Sequence, residues 1–254
     1  MSSTSLPRVC LLLISVLAVS TSASAQTQAP APAPPPPGWT GSASAGLALT
    51  QGNSDTSNVN LAYEVKRDTG SNLLLKSTGL FIRGEAEGEL TTNRLAFGGR
   101  ADRKFSERTS LFGQVQYLRD SFKEIDYLVS PTVGLSQWLV KNARTELGVD
   151  AGVGVAWEKN PGTEVRTSGA VTAGQNLKHA LAKTAEFTEK VAALWKMDDF
   201  DDALYVFGVG LAASVTSATQ LKVELLDTYK NKPPSASVVK NDVALIVSFV
   251  YKFD

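Results

Sequence analysis

The sequence predicts an all-β fold, a transmembrane antiparallel up-and-down β-barrel of about 12 strands. Three observations predict it. Segments of about 9–13 residues alternate between apolar residues and small or polar ones, which suits a tilted membrane strand of roughly 9–11 residues. The charges inside these segments almost all share the polar parity. After residue 25 no apolar run is long enough for a helical span, so a membrane chain of this kind has to close into a barrel.

The chain begins with the pattern of a secretory signal. Arg8 supplies a positive start, residues 9–19 an apolar run, and Ala23-Ser24-Ala25 a small-residue cleavage site. Cleavage after Ala25 removes Cys10, the only cysteine. Neither a disulfide framework nor a cysteine nucleophile is then expected. Pro7-Arg8-Val9 does not resemble a lipoprotein processing site. Residues 26–38 form a Pro/Ala tract that reads as an extended periplasmic spacer. Residues 39–254 are taken as one barrel domain. Lys and Arg number 25 against 25 Asp and Glu, and loss of Arg8 barely disturbs the balance, which argues against nucleic-acid binding.

Strands are expected in this order. Residues 39–50 set Trp39, Gly41, Ala43, Ala45 and Leu47 against Thr40, Ser42, Ser44 and Gly46. Residues 58–66 alternate cleanly, 72–83 are blurred by Leu73-Leu74-Leu75, and 94–102 set Leu95 and Phe97 against Arg94, Arg100 and Asp102. Residues 111–117 and 129–136 follow. The clearest segment is 146–157, with Leu147, Val149, Ala151, Val153, Val155 and Trp157 opposite Glu146, Gly148, Asp150, Gly152, Gly154 and Ala156. A face of glycines with isolated carboxylates suits a crowded wet interior, and an aliphatic face ending in Trp suits lipid. Residues 165–177, 184–195, 203–213, 220–229 and 242–253 complete the set.

Connections after even strands are short, at 68–71, 106–108, 141–143, 178–180 and 216–218. Those after odd strands run longer, at 51–57, 84–92, 120–126, 158–164, 196–202 and 230–239. Short periplasmic turns and longer outer loops place both termini in the periplasm of an outer-membrane barrel.

Charge placement orients the faces. An Arg or Lys on the lipid side at mid-membrane costs about 2–4 kcal/mol. Lys66, Arg94, Arg100, Asp102, Glu146, Asp150, Arg166, Glu186, Lys190, Lys222 and Glu224 share the polar parity and are expected to line the lumen. Glu189 breaks the rule between Phe187 and Val191; a rim position or a bulge would account for it.

Several motifs together resemble the salt-induced outer membrane protein family (domain of unknown function 481). They are Gly38-Trp39-Thr40-Gly41 with Gly52-Asn53-Ser54, the run Arg119-Asp120-Ser-Phe-Lys-Glu-Ile-Asp126-Tyr127, and Gly152-Val-Gly154. Asn231-Lys-Pro233-Pro234 and the closing Val250-Tyr-Lys-Phe253 complete them. The resemblance spans the mature barrel. It implies an outer-membrane location, insertion by the barrel-assembly machinery and a link to salt or osmotic stress, but no settled activity. The terminal aromatic is followed here by Asp254, a departure from the pattern.

No enzyme is expected, and no catalytic residue is assigned. The only histidine, His179, falls in a short turn, away from any nucleophile and orienting group. No metal or cofactor is expected. Glu85, Glu87 and Glu89 in one loop, and Asp198, Asp199, Asp201 and Asp202 in another, offer oxygen ligands but match no metal-loop spacing, so they read as solvated loop acids. Trp39, Tyr63, Trp157, Trp195, Tyr205 and Tyr229 fit interfacial girdles; Phe112 and Trp138 are the aromatics of inward parity. The lumen charges support two readings, a lining for passive passage of small polar or ionic solutes or a salt-bridged plug. In the second, the barrel presents its loops to envelope partners or lipopolysaccharide. The expected partners are outer-membrane lipid and lipopolysaccharide, with no nucleic acid.

Overall fold

The structure, a computed structural model, describes residues 38–50 and 56–253. The signal sequence, nearly all of the spacer, the loop with Gly52-Asn53-Ser54, and Asp254 lie outside the described residues.

Twelve strands form: β1 (Trp39–Thr50), β2 (Thr56–Asp68), β3 (Leu73–Ala86), β4 (Glu89–Lys104), β5 (Thr109–Asp120), β6 (Ile125–Lys141), β7 (Thr145–Lys159), β8 (Arg166–Ala182), β9 (Ala185–Lys196), β10 (Asp199–Ser214), β11 (Thr219–Lys230) and β12 (Asn241–Phe253). One 3-10 turn, η1 (Ser121–Lys123), joins β5 to β6. Each strand pairs antiparallel with the next, and β1 closes on β12 from Gly41 opposite Phe253 to Ala45 opposite Phe249. The sheet has no free edge, so every backbone ladder finds a partner without water. The rim carrying Trp39 and Phe253 is here the proximal rim; the opposite one is distal.

Registers fix the two faces. Arg94 on β4 donates through Nη1 to Thr228 Oγ1 on β11, a strand far from β4 around the barrel. Only inward side chains can meet in that way, so the parity of Arg94 and Thr228 is the lumen parity. The opposite parity carries Leu47, Leu61, Phe97, Val133, Val153, Leu211, Leu245 and Phe249, all exposed. Exposure of so many large apolar groups on one continuous band makes sense only against lipid. At the distal end of that band Trp195 Nε1 donates to Tyr205 Oη at 2.9 Å, and Tyr205 packs on Tyr229 with ring centroids 6.1 Å apart. Trp157 lies at the same rim, while Trp39 lies at the proximal rim with the Arg67 guanidinium 5.4 Å from its ring. Amphipathic rings at both borders are the interfacial girdles.

Three expectations are corrected. First, strands continue past their expected ends, so the distal connections are not uniformly long. β3 and β4 meet at Glu87-Gly88, where both residues have positive φ (52° and 78°), the geometry of a tight primed hairpin turn. β9 and β10 meet at Met197-Asp198. Of the described distal connections, 160–165 and 231–240 are the long ones. Second, Glu85, Glu89, Asp199, Asp201 and Asp202 belong to strands, not loops. Third, His179 lies within β8, where its Nδ1 meets Thr145 Oγ1 at 2.8 Å; the turn is displaced to 183–184. Cross-strand pairing overrode the local turn signal in each case.

Glu189 remains on the lipid-facing parity, in continuous register with Leu177 and Val209. No bulge resets the phase. Gln175 Nε2, also outward, donates to its Oε1 at 3.0 Å, which keeps that lipid-side carboxylate hydrogen-bonded.

Candidate functional site

Among the described residues the lumen gathers a large set of charges, and its two halves differ. Towards the proximal rim Arg100 is the hub. Its Nε donates to Asp102 Oδ1 at 2.9 Å, and its Nη1 lies 3.5 Å from Asp150 Oδ2 and 3.4 Å from Gln114 Oε1. Lys76, a residue not singled out in the sequence, reaches Asp102 Oδ2 at 3.3 Å. The guanidinium carbon of Arg100 lies 3.9 Å from the ring centroid of Phe112, which is wholly buried; a cation over an aromatic face in a shielded site gains electrostatic attraction.

The glycines of β7 and β8 make room for this group. A Cβ on Gly152 would meet Phe112 Cζ at 3.0 Å, and one on Gly174 would meet the Asp150 carboxylate at 2.9 Å. The space they leave is filled by an aromatic ring as well as by charge.

The remaining residues of the expected lining fall as follows. Lys222 bonds Glu224 at 2.6 Å along β11, and Glu186 bonds Lys178 at 2.9 Å. Glu146 stands in register with Lys178 and Lys141. Lys66 faces Lys76 across β2 and β3, and Lys190 lies between Asn176 and Gly208; both lysines are exposed. An exposed lysine on the inward face means water reaches it from inside the barrel. Arg166 is at the distal rim, paired with Asp198 at 2.7 Å and Asp202 at 3.0 Å.

Distally the lumen is packed. Glu158 on β7, Lys196 on β9, Asp202 on β10 and Lys230 on β11 form a closed tetrad. Lys196 reaches Glu158 at 2.5 Å and Asp202 at 2.6 Å; Lys230 reaches them at 2.9 and 3.2 Å. All four are buried, with exposures of 2–6%. Two cations against two carboxylates neutralise one another, which is what makes such burial tolerable. Beside them Leu118, Ile125, Leu128, Ala156, Ala170 and Leu204 form one apolar cluster, and Ile82, Leu226 and Ile246 a second. These sit at inward positions, so side chains fill much of the lumen here.

Across the top runs a clasp. Asp120 caps η1, accepting from the amides of Phe122 and Lys123. This turn tips Lys123 inward until it is completely buried. Its Nζ donates to the carbonyls of Val239 and Lys240 at 2.7 and 2.8 Å and to Asp242 Oδ2 at 2.8 Å. The β5–β6 connection is thereby tied to the end of the 231–240 connection on another wall. Asn160 Nδ2 adds a bond to Glu124 O at 2.7 Å.

At the distal rim Asp198, Asp199 and Asp202 are each paired with a cationic side chain. Arg166 holds the Asp198 carboxyl below its ordinary value by hydrogen bonding, and Asp199 raises the Lys232 ammonium in the same manner. Among the described residues no group of three or more His, Cys, Asp or Glu is placed to hold a metal.

The sequence reading missed the tetrad, Asp120, Lys123, Thr228 and Asp242. Glu158, Lys196, Asp202 and Lys230 fall in the connections expected from the sequence, at 158–164, 196–202 and 230–239. Their even spacing from Ala156, Leu194, Leu204 and Thr228 was a usable signal, because it continues the inward parity. Lys123 had no such signal.

A model of the family described as "Protein of unknown function, DUF481" matches residues 43–253. The chain belongs to the DUF481 family. Among curated proteins none matches this DUF481 chain. Of solved structures, a NanC porin aligns with a TM-score of 0.53 at 8% identity, covering 85% of this chain and 100% of that one. A KdgM porin gives 0.46 at 9%, covering 85% and 99%. The translocator domain of the autotransporter NalP from Neisseria meningitidis gives 0.45 at 13%, covering 85% and 87%. The first of these shows that the DUF481 chain shares the barrel fold of that porin.

Proposed function

We propose that this barrel resides in a bacterial outer membrane with both termini in the periplasm. It passes small polar or ionic solutes through a lumen that is closed at its outer mouth at rest. The observation that carries the reading is the division of the lumen. Lys66 near the proximal rim and Lys190 at mid-barrel are water-accessible; distally, Lys123 fastens one connection across the mouth. A wet charged chamber behind a latched end is the arrangement of a gated passage, since charged walls select solutes and a two-state contact controls access. The long 231–240 connection at the distal rim supports that rim as the outer one.

Planar-bilayer recording tests this. The wild-type protein is expected to show rare or no conductance steps, and Lys123→Ala frequent ones. In that opened variant Lys190→Glu should shift the permeability ratio towards cations. A second reading, a permanently plugged barrel displaying its distal loops to envelope partners or lipopolysaccharide, draws on the buried Glu158–Lys196–Asp202–Lys230 tetrad. Absence of steps in both proteins decides for that one. The osmotic role belongs to the same proposal; a deletion strain that recovers normally from a salt upshift would count against it.

A further inference from the structure

Beneath the clasp lies a cavity of about 160 Å³ between η1 and the wall of β11 and β12, well above the roughly 10–15 Å³ that one water requires. Its lining brings Arg94 together with Asp120 and Asp242, with the Thr228 hydroxyl and the apolar Phe122 and Leu226 beside them. Arg94 is only 7% exposed. Its Nη1 donates to Thr228, but its Nε has no partner. Asp120 Oδ2 stands 3.8 Å from Nη1, too far for a direct hydrogen bond. Asp120 Oδ1 is engaged by the η1 amides.

A buried guanidinium at the cavity wall, with no carboxylate in direct hydrogen-bond reach, calls for one. A carboxylate oxygen held a few ångströms away calls for an ammonium. A simple anion entering here meets Asp120 and Asp242, and a simple cation meets Arg94. One molecule bearing both charges satisfies both sides. We propose that this cavity binds a small zwitterion of the amino-acid type, its carboxylate on Arg94 and its ammonium on Asp120. Phe122 and Leu226 set the size limit. This deepens the passage reading by naming a solute class, and the site lies directly under the latch that would admit the solute.

Binding is measured on the protein folded in detergent micelles, by saturation-transfer NMR and calorimetry with glycine, acetate and methylammonium as probes. Glycine is expected to bind at least tenfold more tightly than either singly charged probe. Arg94→Gln and Leu226→Trp should each weaken glycine at least tenfold, with heat-dependent gel mobility confirming the barrel. Leu226→Trp keeps every charge and fills the cavity, so it decides the matter if Arg94→Gln does not fold. Glycine binding no tighter than acetate or methylammonium, or indifferent to both variants, overturns the assignment. Specific glycine binding without conductance keeps the site and removes passage; conductance without that binding does the reverse.

Discussion

Lys123 Nζ and Asp242 Oδ2 meet at 2.8 Å across the distal mouth of the barrel, joining the β5–β6 connection to the first residues of β12. Lys123 is fully buried, whereas the Asp242 side chain is 45% exposed. The lysine therefore depends on this carboxylate and on the carbonyls of Val239 and Lys240 for all of its compensation. Replacing it by alanine frees both connections together. Hydrogen–deuterium exchange should show protection lost at 121–124 and at 231–240 in Lys123→Ala, with the strand ladders unchanged. Loss at 121–124 alone would mean that the two segments are not coupled.

The tetrad carries the largest single stability effect expected in the lumen. Glu158→Gln leaves Lys196 and Lys230 to share Asp202 in a buried site. Breaking a buried pair by removing one partner costs about 3–5 kcal/mol, and the retained Asp202 puts this variant near the lower figure. Urea unfolding in lipid vesicles measures it. A change below about 1 kcal/mol would show that water reaches the tetrad.

Face assignment is open to a paired test on β6. Val133 is 59% exposed on the lipid side, and Ser136 is inward, in register with Asp150. Val133→Arg should destabilise by about 2–4 kcal/mol, as expected for a cation at mid-membrane on the lipid face. Ser136→Arg places the same charge beside a carboxylate in the lumen and should cost much less. Equal costs would contradict the parity.

The Arg166–Asp198 pair at the distal rim fixes a pH window. Hydrogen bonding from Arg166 holds Asp198 below its ordinary value of 3.8. An acid lowered on folding contributes stability above that ordinary value and loses it as pH falls through the depressed one. The contact should be unchanged between pH 5 and 8 and open only below about 3.8, followed through the Asp198 carboxyl carbon shift. Both side chains are largely exposed, and an exposed pair contributes little. Asp198→Asn should therefore shift stability by no more than about 0.5 kcal/mol.

Most of the wall was legible in the sequence. A period of two is imposed by strand geometry itself, so Leu147, Val149 and Val153 had to share a face, and Glu146 and Asp150 the other. Strand ends were less legible. Asp199 and Asp202 read as loop acids because turn signals act locally, whereas a strand continues for as long as its neighbour offers a ladder. Asp202 reaches its partners only because β7 to β11 run consecutively around the curved wall.

The sequence by itself determined the barrel and its inward and outward parities, because alternation and the cost of charge in lipid are properties of each segment alone. Which charges meet was decided by the closed tertiary structure. Arg94 with Thr228, Lys123 with Asp242 and Glu158 with Lys230 lie at least 70 residues apart in the chain. They come together because closure sets opposite walls within side-chain reach. The same closure decides which inward side chains are buried, such as Phe112 and the tetrad, and which stay water-accessible, such as Lys66 and Lys190, a division that no alternation pattern encodes.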